Sequence, residues 1–557
     1  MEKTRWYKDA VIYQIYPRSF YDSDGDGIGD IQGIIKKLDY VASLGVNAIW
    51  LSPIYKSPCD DNGYDISDYR DILPEFGTLD DFKQLVEEMH KRGLRLIMDL
   101  VANHTSDEHE WFKQAIADPS SPYRDYYIFK KGRAGGKRPP NNWTSRFGGS
   151  AWEKDPASGE YYLHLFSKKQ PDLNWNNPRV REEIADIIKY WIDLGVDGFR
   201  CDVITYISKD DRFRDGKFHF ISRGDEHFTH GPKIHEYLHE LNENAFSHGD
   251  TMTVGEAAGV TIEEGILYCD ETREELDTVF TFEHLAADTI AQVFPTKFRL
   301  SKFKRIFRKW QHGMRGRGWN ALYLENHDQP RSLSRYVGNF KEYRVEAGKM
   351  LCIALNMLQG TPYVYQGQEI GMLNCKFDSL DEYEDVFVKN MRKSFGIFEP
   401  LFRPLIKYCY DKIGRDHART PMQWTPDKNA GFTTGTPWFK VNPDHYMINV
   451  RDAETDPDSI LNFYKEVIAF RKSSDIVKYG VYKENFTSNN DVWCYERMWH
   501  GERLFVICNF TNREVPFNLP KDAAWEKCDL ILHNYEHERY LSNMVLSPYE
   551  AMVFYLI

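Results

Sequence analysis

Eight short apolar runs of strand length constrain this 557-residue chain more than any other feature. They fall at residues 10–17, 47–54, 94–101, 196–204, 252–257, 278–282, 321–328 and 362–367. Between and after them, residues 36–44, 79–92, 179–194, 233–246, 300–310, 345–358 and 460–472 carry helical spacing, with Gly93 as a stop signal. Strands alternating with helices predict an α/β fold, a closed parallel (β/α)8 TIM barrel.

Several of these runs end in chemically active residues. The run 94–101 leads into Asn103-His104, and 196–204 carries Arg200 and Asp202. The run 252–257 carries Glu256, and 321–328 ends in Asn326-His327-Asp328. Alone, Gly198–Asp202 reads as a buried strand with a structural Arg–Asp pair. Four strands that deliver His, Arg, Asp and Glu at one end assemble an active site instead, because a parallel barrel gathers its strand ends on one face.

The rhythm breaks twice. Residues 105–170 are rich in Gly, Pro, Asn, Trp and Lys, too long for an ordinary loop, and predict a subdomain inserted after strand 3. Its basic stretch 130–137 reads as a solvated loop, with phosphate binding as the other reading. A second insertion covers about 374–440. From about 478 the pattern becomes short strands at 492–497, 503–509, 528–532 and 551–557, a C-terminal antiparallel β-domain. The expected division is barrel at 1–104 and 171–477, inserted domain at 105–170 and C-terminal domain at 478–557.

Composition narrows the partners. A net charge of −13 argues against nucleic acid and anionic membrane. No run approaches a membrane helix, and the first residues lack an apolar signal core. The nine cysteines are odd in number and contain no CxxC, which disfavours a disulfide framework or a zinc site. A cytoplasmic protein, a monomer or weak oligomer with no organic cofactor, is expected. Residues 22–30 place Asp22, Asp24, Asp26 and Asp30 with the Ile28 carbonyl at the spacing of a calcium-binding loop, glycines permitting the turn. The terminal bidentate Glu is missing, so a structural Ca2+, or Mg2+, is expected rather than a sensor; a solvated acidic turn is the other reading.

The segments Asp99-Leu100-Val101-Ala102-Asn103-His104, Gly198–Asp202, Gly255-Glu256 and Asn326-His327-Asp328 resemble the four signature regions of the α-amylase family, glycoside hydrolase family 13. Residues 170–175, 326–331 and 419–424 resemble its oligo-1,6-glucosidases and α-glucosidases in particular. The resemblance covers nearly the whole chain. It implies retaining hydrolysis, which needs a nucleophilic carboxylate and a carboxylic acid about 5–5.5 Å apart. Asp202 is the candidate nucleophile, kept ionised by Arg200, and Glu256 the acid/base, expected to hold a proton near neutral pH. Asp328 is the third carboxylate, binding sugar hydroxyls and stabilising the transition state.

By the same match, His104 and His327 bind hydroxyls of the glucose pocket, and Gln170 lines it. Asp61 and Arg419 grip the non-reducing end and give exo action. Tyr64 and Phe166 are stacking walls, a plain core role being the alternative. Val203 resembles the residue typical of α-1,6 specificity, though trehalose-6-phosphate hydrolases share it. The Gly-Val of Glu256-Ala257-Ala258-Gly259-Val260 favours a glucosidase, while its double alanine departs from the usual Met-Pro. The Arg-Leu-Asp-Arg-Asp motif of sucrose isomerases is absent. The basic stretch 305–317 offers a phosphorylated sugar a site, or is a solvated helix face. The expected activity is an exo-acting α-glucosidase on isomaltose and isomalto-oligosaccharides. A trehalose-6-phosphate hydrolase and an α-1,4-preferring glucosidase or sucrase are the alternatives; a catalytically dead sugar-binding relative is disfavoured by the intact acids.

Overall fold

The computed structural model describes residues 5–218, 222–290, 293–338, 341–521, 528–536 and 543–556. Residues 1–4 of the N-terminal segment and Ile557, expected in the last strand, lie outside them.

Eight strands form one parallel sheet: Ile12–Ile15, Ala48–Leu51, Arg95–Val101, Gly198–Asp202, Met252–Glu256, Thr278–Phe280, Ala321–Leu322 and Thr361–Tyr365. In space the first strand pairs with both the second and the eighth. A parallel bridge between Val279 and Asn320 joins the sixth strand to the seventh and closes the barrel. Ile12, Trp50, Ile97, Val254, Phe280 and Tyr363 fill its interior. Every strand is shorter than the apolar run that predicted it. The seventh pairs only over Ala321–Leu322, because residues beyond it leave the ladder for side-chain bonds: Glu325 accepts from Arg331 (3.1 Å) and from the Ser332 amide.

Local signals set the helices. Asp30 caps Ile31–Ser43, and a Thr78–Asp81 capping box starts Leu79–Lys91. Asn177 caps Pro178–Asp193, with proline in the first turn, where a missing N–H costs nothing. Ile234–Asn244, Leu300–Gly313, Arg344–Asn356 and Ile460–Ser473 complete the predicted set. Helix Ile262–Cys269, between the fifth and sixth strands, was not predicted. It is only eight residues long, and its one clear sequence signal is the Thr261–Glu264 capping box.

The inserted segment holds helix Glu110–Ala117 and a three-stranded antiparallel sheet built from Phe129–Lys130, Tyr161–Leu163 and Trp152–Lys154. Its core joins Trp143, Trp152, Leu163 and Leu165 to Tyr206 and Phe228, which lie beyond residue 170. The stretch after the fourth strand therefore packs with the insertion. The second insertion contains a helical hairpin, Val386–Ser394 and Glu399–Ile413, that the sequence reading did not foresee; Gly396, Pro400 and an internal Pro404 mask its periodicity.

The C-terminal sheet is antiparallel, in the order Val481–Asn485, Val492–Trp499, Glu502–Asn509, Ala551–Leu556 and Cys528–His533. It docks on the barrel helices. The Tyr495 hydroxyl donates to Ala354 O (2.9 Å) and Arg497 donates to Gln311 Oε1 (2.9 Å). No helix among the described residues is long and apolar enough to cross a membrane.

Candidate active site

The fourth strand carries the centre of the site. Residues two apart point the same way, so Arg200 and Asp202 face inward together. Register aligns Arg200 with Asp99 of the third strand and with Val254, two residues before Glu256, on the fifth. The buried Arg200 guanidinium donates to Asp99 Oδ1 (2.6 Å), Asp202 Oδ1 (2.6 Å) and Glu256 Oε2 (2.5 Å). One cation thus spans the two candidate catalytic carboxyls. The Trp50 indole N–H donates to the other Asp99 oxygen at 2.8 Å.

Three acids around one guanidinium leave excess negative charge in a buried space. Burial raises the Asp202 carboxyl well above the usual carboxylate range; Arg200 pulls it down, while Glu256 and Asp99 repel its charge. Arg200, bonded directly to the carboxylate, is the cation that opposes this rise.

Val203 follows with φ +37° and ψ +37°. A β-branched side chain is strained in that left-handed region. The strained turn aims the Val203 N–H at Glu256 Oε2, 3.2 Å away. The Val203 side chain packs with Phe166 against the core of the inserted domain.

The glucose end is built around Asp328 and two histidines. Asp328 Oδ1 accepts from Arg419 (3.0 Å) and Arg415 (3.2 Å), and Oδ2 faces His327 Nε2 (3.1 Å). Burial opposes its ionisation, yet His327, Arg415 and Arg419 hold the Asp328 carboxyl well below the usual range. His327 is fixed by Gln14 at Nδ1 (2.8 Å) and Tyr64 at Nε2 (2.7 Å), and it stacks on the Tyr64 ring. His104 Nε2 lies 3.1 Å from Tyr64 O and 3.1 Å from Gln170 Nε2. Burial pulls the His104 imidazole down to about 4, so it is neutral at pH 7. Gln170 also donates to Asp61 Oδ2 (3.2 Å). Burial pushes Asp61 up to about 7, against the pull of Arg415 and Arg419. Phe166 lies against His104, ring centres 5.2 Å apart, and against Phe147 at 5.6 Å.

The structure therefore brings Asp202, Glu256, Asp328, Arg200, Val203, Asp61, Tyr64, His104, Phe166, Gln170, His327 and Arg419 to one end of the barrel. Within it Arg419 bonds Asp328 and Asp61 bonds Gln170. Arg415 was missed. It joins Asp385 (2.9 Å) to Asp328, and only the folded second insertion places it there. Asp99 was missed as a site residue, although a carboxylate inside an apolar strand was a visible signal. Lys209, bonded to Asp172 (2.8 Å) and Asn103 (2.8 Å), carried no signal.

The acidic loop lies apart from this pocket. Carboxylates of Asp22, Asp24 and Asp30 lie within 4.8 Å of one another, a hard-oxygen donor set that fits Ca2+ or Mg2+. Asp26, expected among the ligands, falls outside that group; its carboxylate accepts from the Ile28 amide at 2.7 Å. Asp22 also accepts from the Gly27 amide (2.8 Å) and the Thr433 hydroxyl, tying the loop to the second insertion. The basic stretch 305–317 lies mostly on helix Leu300–Gly313, which packs on the C-terminal sheet through Lys304 and Arg308 facing Glu484.

A family model described as "Alpha amylase, catalytic domain" matches residues 14–480. The chain is similar to an oligo-1,6-glucosidase of Parageobacillus thermoglucosidasius, 51% identical over 562 residues and covering 99% of this chain and 98% of that one. It is also similar to a trehalose-6-phosphate hydrolase of Bacillus subtilis (strain 168), 47% identical over 566 residues, 100% of this chain and 99% of that one. Among solved structures, a Bacillus licheniformis trehalose-6-phosphate hydrolase superposes with a TM-score of 0.93 at 45% identity, covering 99% of this chain and 100% of that chain.

Proposed function

The chain belongs to the α-amylase family of glycoside hydrolases, and we propose that within it this enzyme removes α-1,6-linked glucose from the non-reducing end of isomaltose and isomalto-oligosaccharides, with retention. The observation that carries this reading is the pairing of Asp202 and Glu256 through one guanidinium beside a pocket lined by Asp61, His104, Gln170, His327 and Arg419. Asp202 attacks the anomeric carbon while Glu256 gives its proton to the leaving oxygen. Water then enters from the vacated side, returns a proton to Glu256 and releases Asp202. Asp328, already held by two arginines, positions sugar hydroxyls and supports positive charge developing on the ring.

Trehalose 6-phosphate is the competing substrate, since relatives of both names match closely. A phosphate needs unspent cations. The cations lining the space beside Asp328 are Arg146, Arg335 and Arg415. Arg146 bonds Asp225 (2.9 Å), Arg335 bonds Asp288 (2.8 Å) and Arg415 bonds Asp385 (2.9 Å), so each charge is already answered. This favours a neutral sugar.

Glucose release from isomaltose, maltose, sucrose and trehalose 6-phosphate, measured side by side, tests the reading. Isomaltose is expected to lead; activity confined to trehalose 6-phosphate overturns it. Asp202→Asn and Glu256→Gln are each expected to lower kcat on isomaltose about a thousandfold or more with the melting temperature retained. We also assign a structural Ca2+, or Mg2+, to Asp22, Asp24 and Asp30, where it screens carboxylate repulsion and stiffens the loop. A cytoplasmic monomer or weak oligomer suits a chain with buried thiols such as Cys201, Cys269, Cys352 and Cys494.

A further inference from the structure

Asp416 is a buried carboxylate at the point where the helical hairpin closes. The hairpin begins at Asp385, which caps Val386–Ser394 by accepting from the Phe387 amide (2.9 Å). It ends at Gly414, where the chain passes so close to itself that an added Cβ would lie 2.6 Å from Tyr410 O. Asp416 joins the two ends. Its Oδ2 accepts from the amides of both Glu384 (2.7 Å) and Asp385 (3.0 Å). Its Oδ1 faces Arg419 Nη1 at 3.8 Å, a buried nitrogen with no hydrogen-bond partner among the described residues. Burial and the charge of Asp385 push the Asp416 carboxyl up to about 6, against the pull of Arg419, so at pH 7 it is mainly ionised.

Both sides of this clasp lead to Asp328. Asp385 accepts from Arg415 Nε at 2.9 Å and from Arg415 Nη2 at 2.5 Å, and Arg415 Nη1 reaches Asp328 Oδ1 at 3.2 Å. Arg419 Nη2 reaches the same Asp328 oxygen at 3.0 Å. A forked carboxylate–guanidinium pair fixes direction as well as distance, so Arg415 goes where the backbone at 384–385 is held. We propose that Asp416 is a positioning residue: by clasping the base of the hairpin it sets Arg415 and Arg419 on Asp328, and so fixes the glucose end of the pocket from behind its wall. The inference rests on the hydrolase reading of Asp328 as the carboxylate that grips sugar hydroxyls.

The test measures binding of 1-deoxynojirimycin, a basic glucose analogue, by calorimetry, which needs no turnover. A remote change that shifts a binding group by about 1 Å can cost about a hundredfold. Asp416→Ala is therefore expected to weaken the analogue at least about tenfold, and to raise KM on isomaltose more than it lowers kcat. Asp416→Asn keeps an oxygen within reach of both amides and is expected to recover most of the loss. Asp416→Ser, whose hydroxyl is too short to reach both amides, takes the place of the alanine variant if that one does not fold, and a melting curve is taken for each. Unchanged affinity in Asp416→Ala overturns the proposal. So does an asparagine variant as weak as the alanine one, or a loss confined to kcat, the mark of fewer folded molecules rather than of displaced arginines. Isomaltose hydrolysis by the wild-type protein is run in parallel. If it fails while the binding series behaves as expected, the hydrolase reading falls and the positioning role stands; cleavage with an unresponsive series sinks the positioning role alone.

Discussion

Val203 occupies a backbone conformation that costs a β-branched residue about 1–3 kcal/mol, and it sits between the two catalytic carboxyls. Its amide donates to Glu256, so residue 203 touches the candidate acid through its main chain. Val203→Gly relieves the strain but frees that amide to wander. We expect kcat/KM on isomaltose to fall about tenfold while that on p-nitrophenyl α-glucoside barely changes, because an activated phenolate needs little help from an acid. Equal losses on both substrates would reduce Val203 to scaffolding. Asp61 gives a second prediction at this scale. Burial raises its carboxyl to about 7, so the folded state holds this proton more tightly than the unfolded chain, where the group titrates near about 3.9. Stability from this residue is therefore present below about pH 4 and is lost as pH rises through 7. The melting temperature of the wild type relative to Asp61→Asn should fall across that window; a flat difference would mean that the burial is relieved by water.

At the scale of elements, the acidic loop joins the start of helix Ile31–Ser43, through Asp30, to the second insertion, through Thr433. If the cation is bound, a hundredfold excess over its Kd stabilises the fold by about 2.7 kcal/mol. EDTA should lower the melting temperature and Ca2+ restore it, and Asp24→Asn should blunt both responses. The cluster of Asp22, Asp24 and Asp30 was visible in sequence because its members lie close together in the chain. So were the barrel strands, whose apolar runs are driven by burial on both faces, and Asp202 and Glu256, the last residues of their strands. The hairpin after the eighth strand was not legible: prolines and a glycine interrupt its spacing, and its apolar face turns partly outward, with Ile397, Phe398 and Leu401 exposed. Arg415 and Asp385 went unseen for the same reason. Their pairing exists only once that hairpin folds, and no local pattern marks either residue.

At the scale of the molecule, the pocket is assembled from Gln14 on the first strand through Arg419 beyond the eighth, and the barrel closes by pairing its first strand with its eighth. The contacts that define the site are therefore among the most distant in the sequence, and such contacts form late. During refolding from denaturant, helical circular dichroism is expected to recover before glucose release does; simultaneous recovery would show that barrel closure is not the slow step. The same geometry gives the enzyme a birth date. A ribosome adding about 5–20 residues per second leaves Gln14 waiting roughly 20–80 seconds for Arg419 to emerge. For the last part of that interval, once Glu256 has been made, the nascent chain carries Asp202 and Glu256 without a pocket to use them in, so sugar cleavage is a property of finished molecules, and activity in a cell extract counts only chains that have closed the ring.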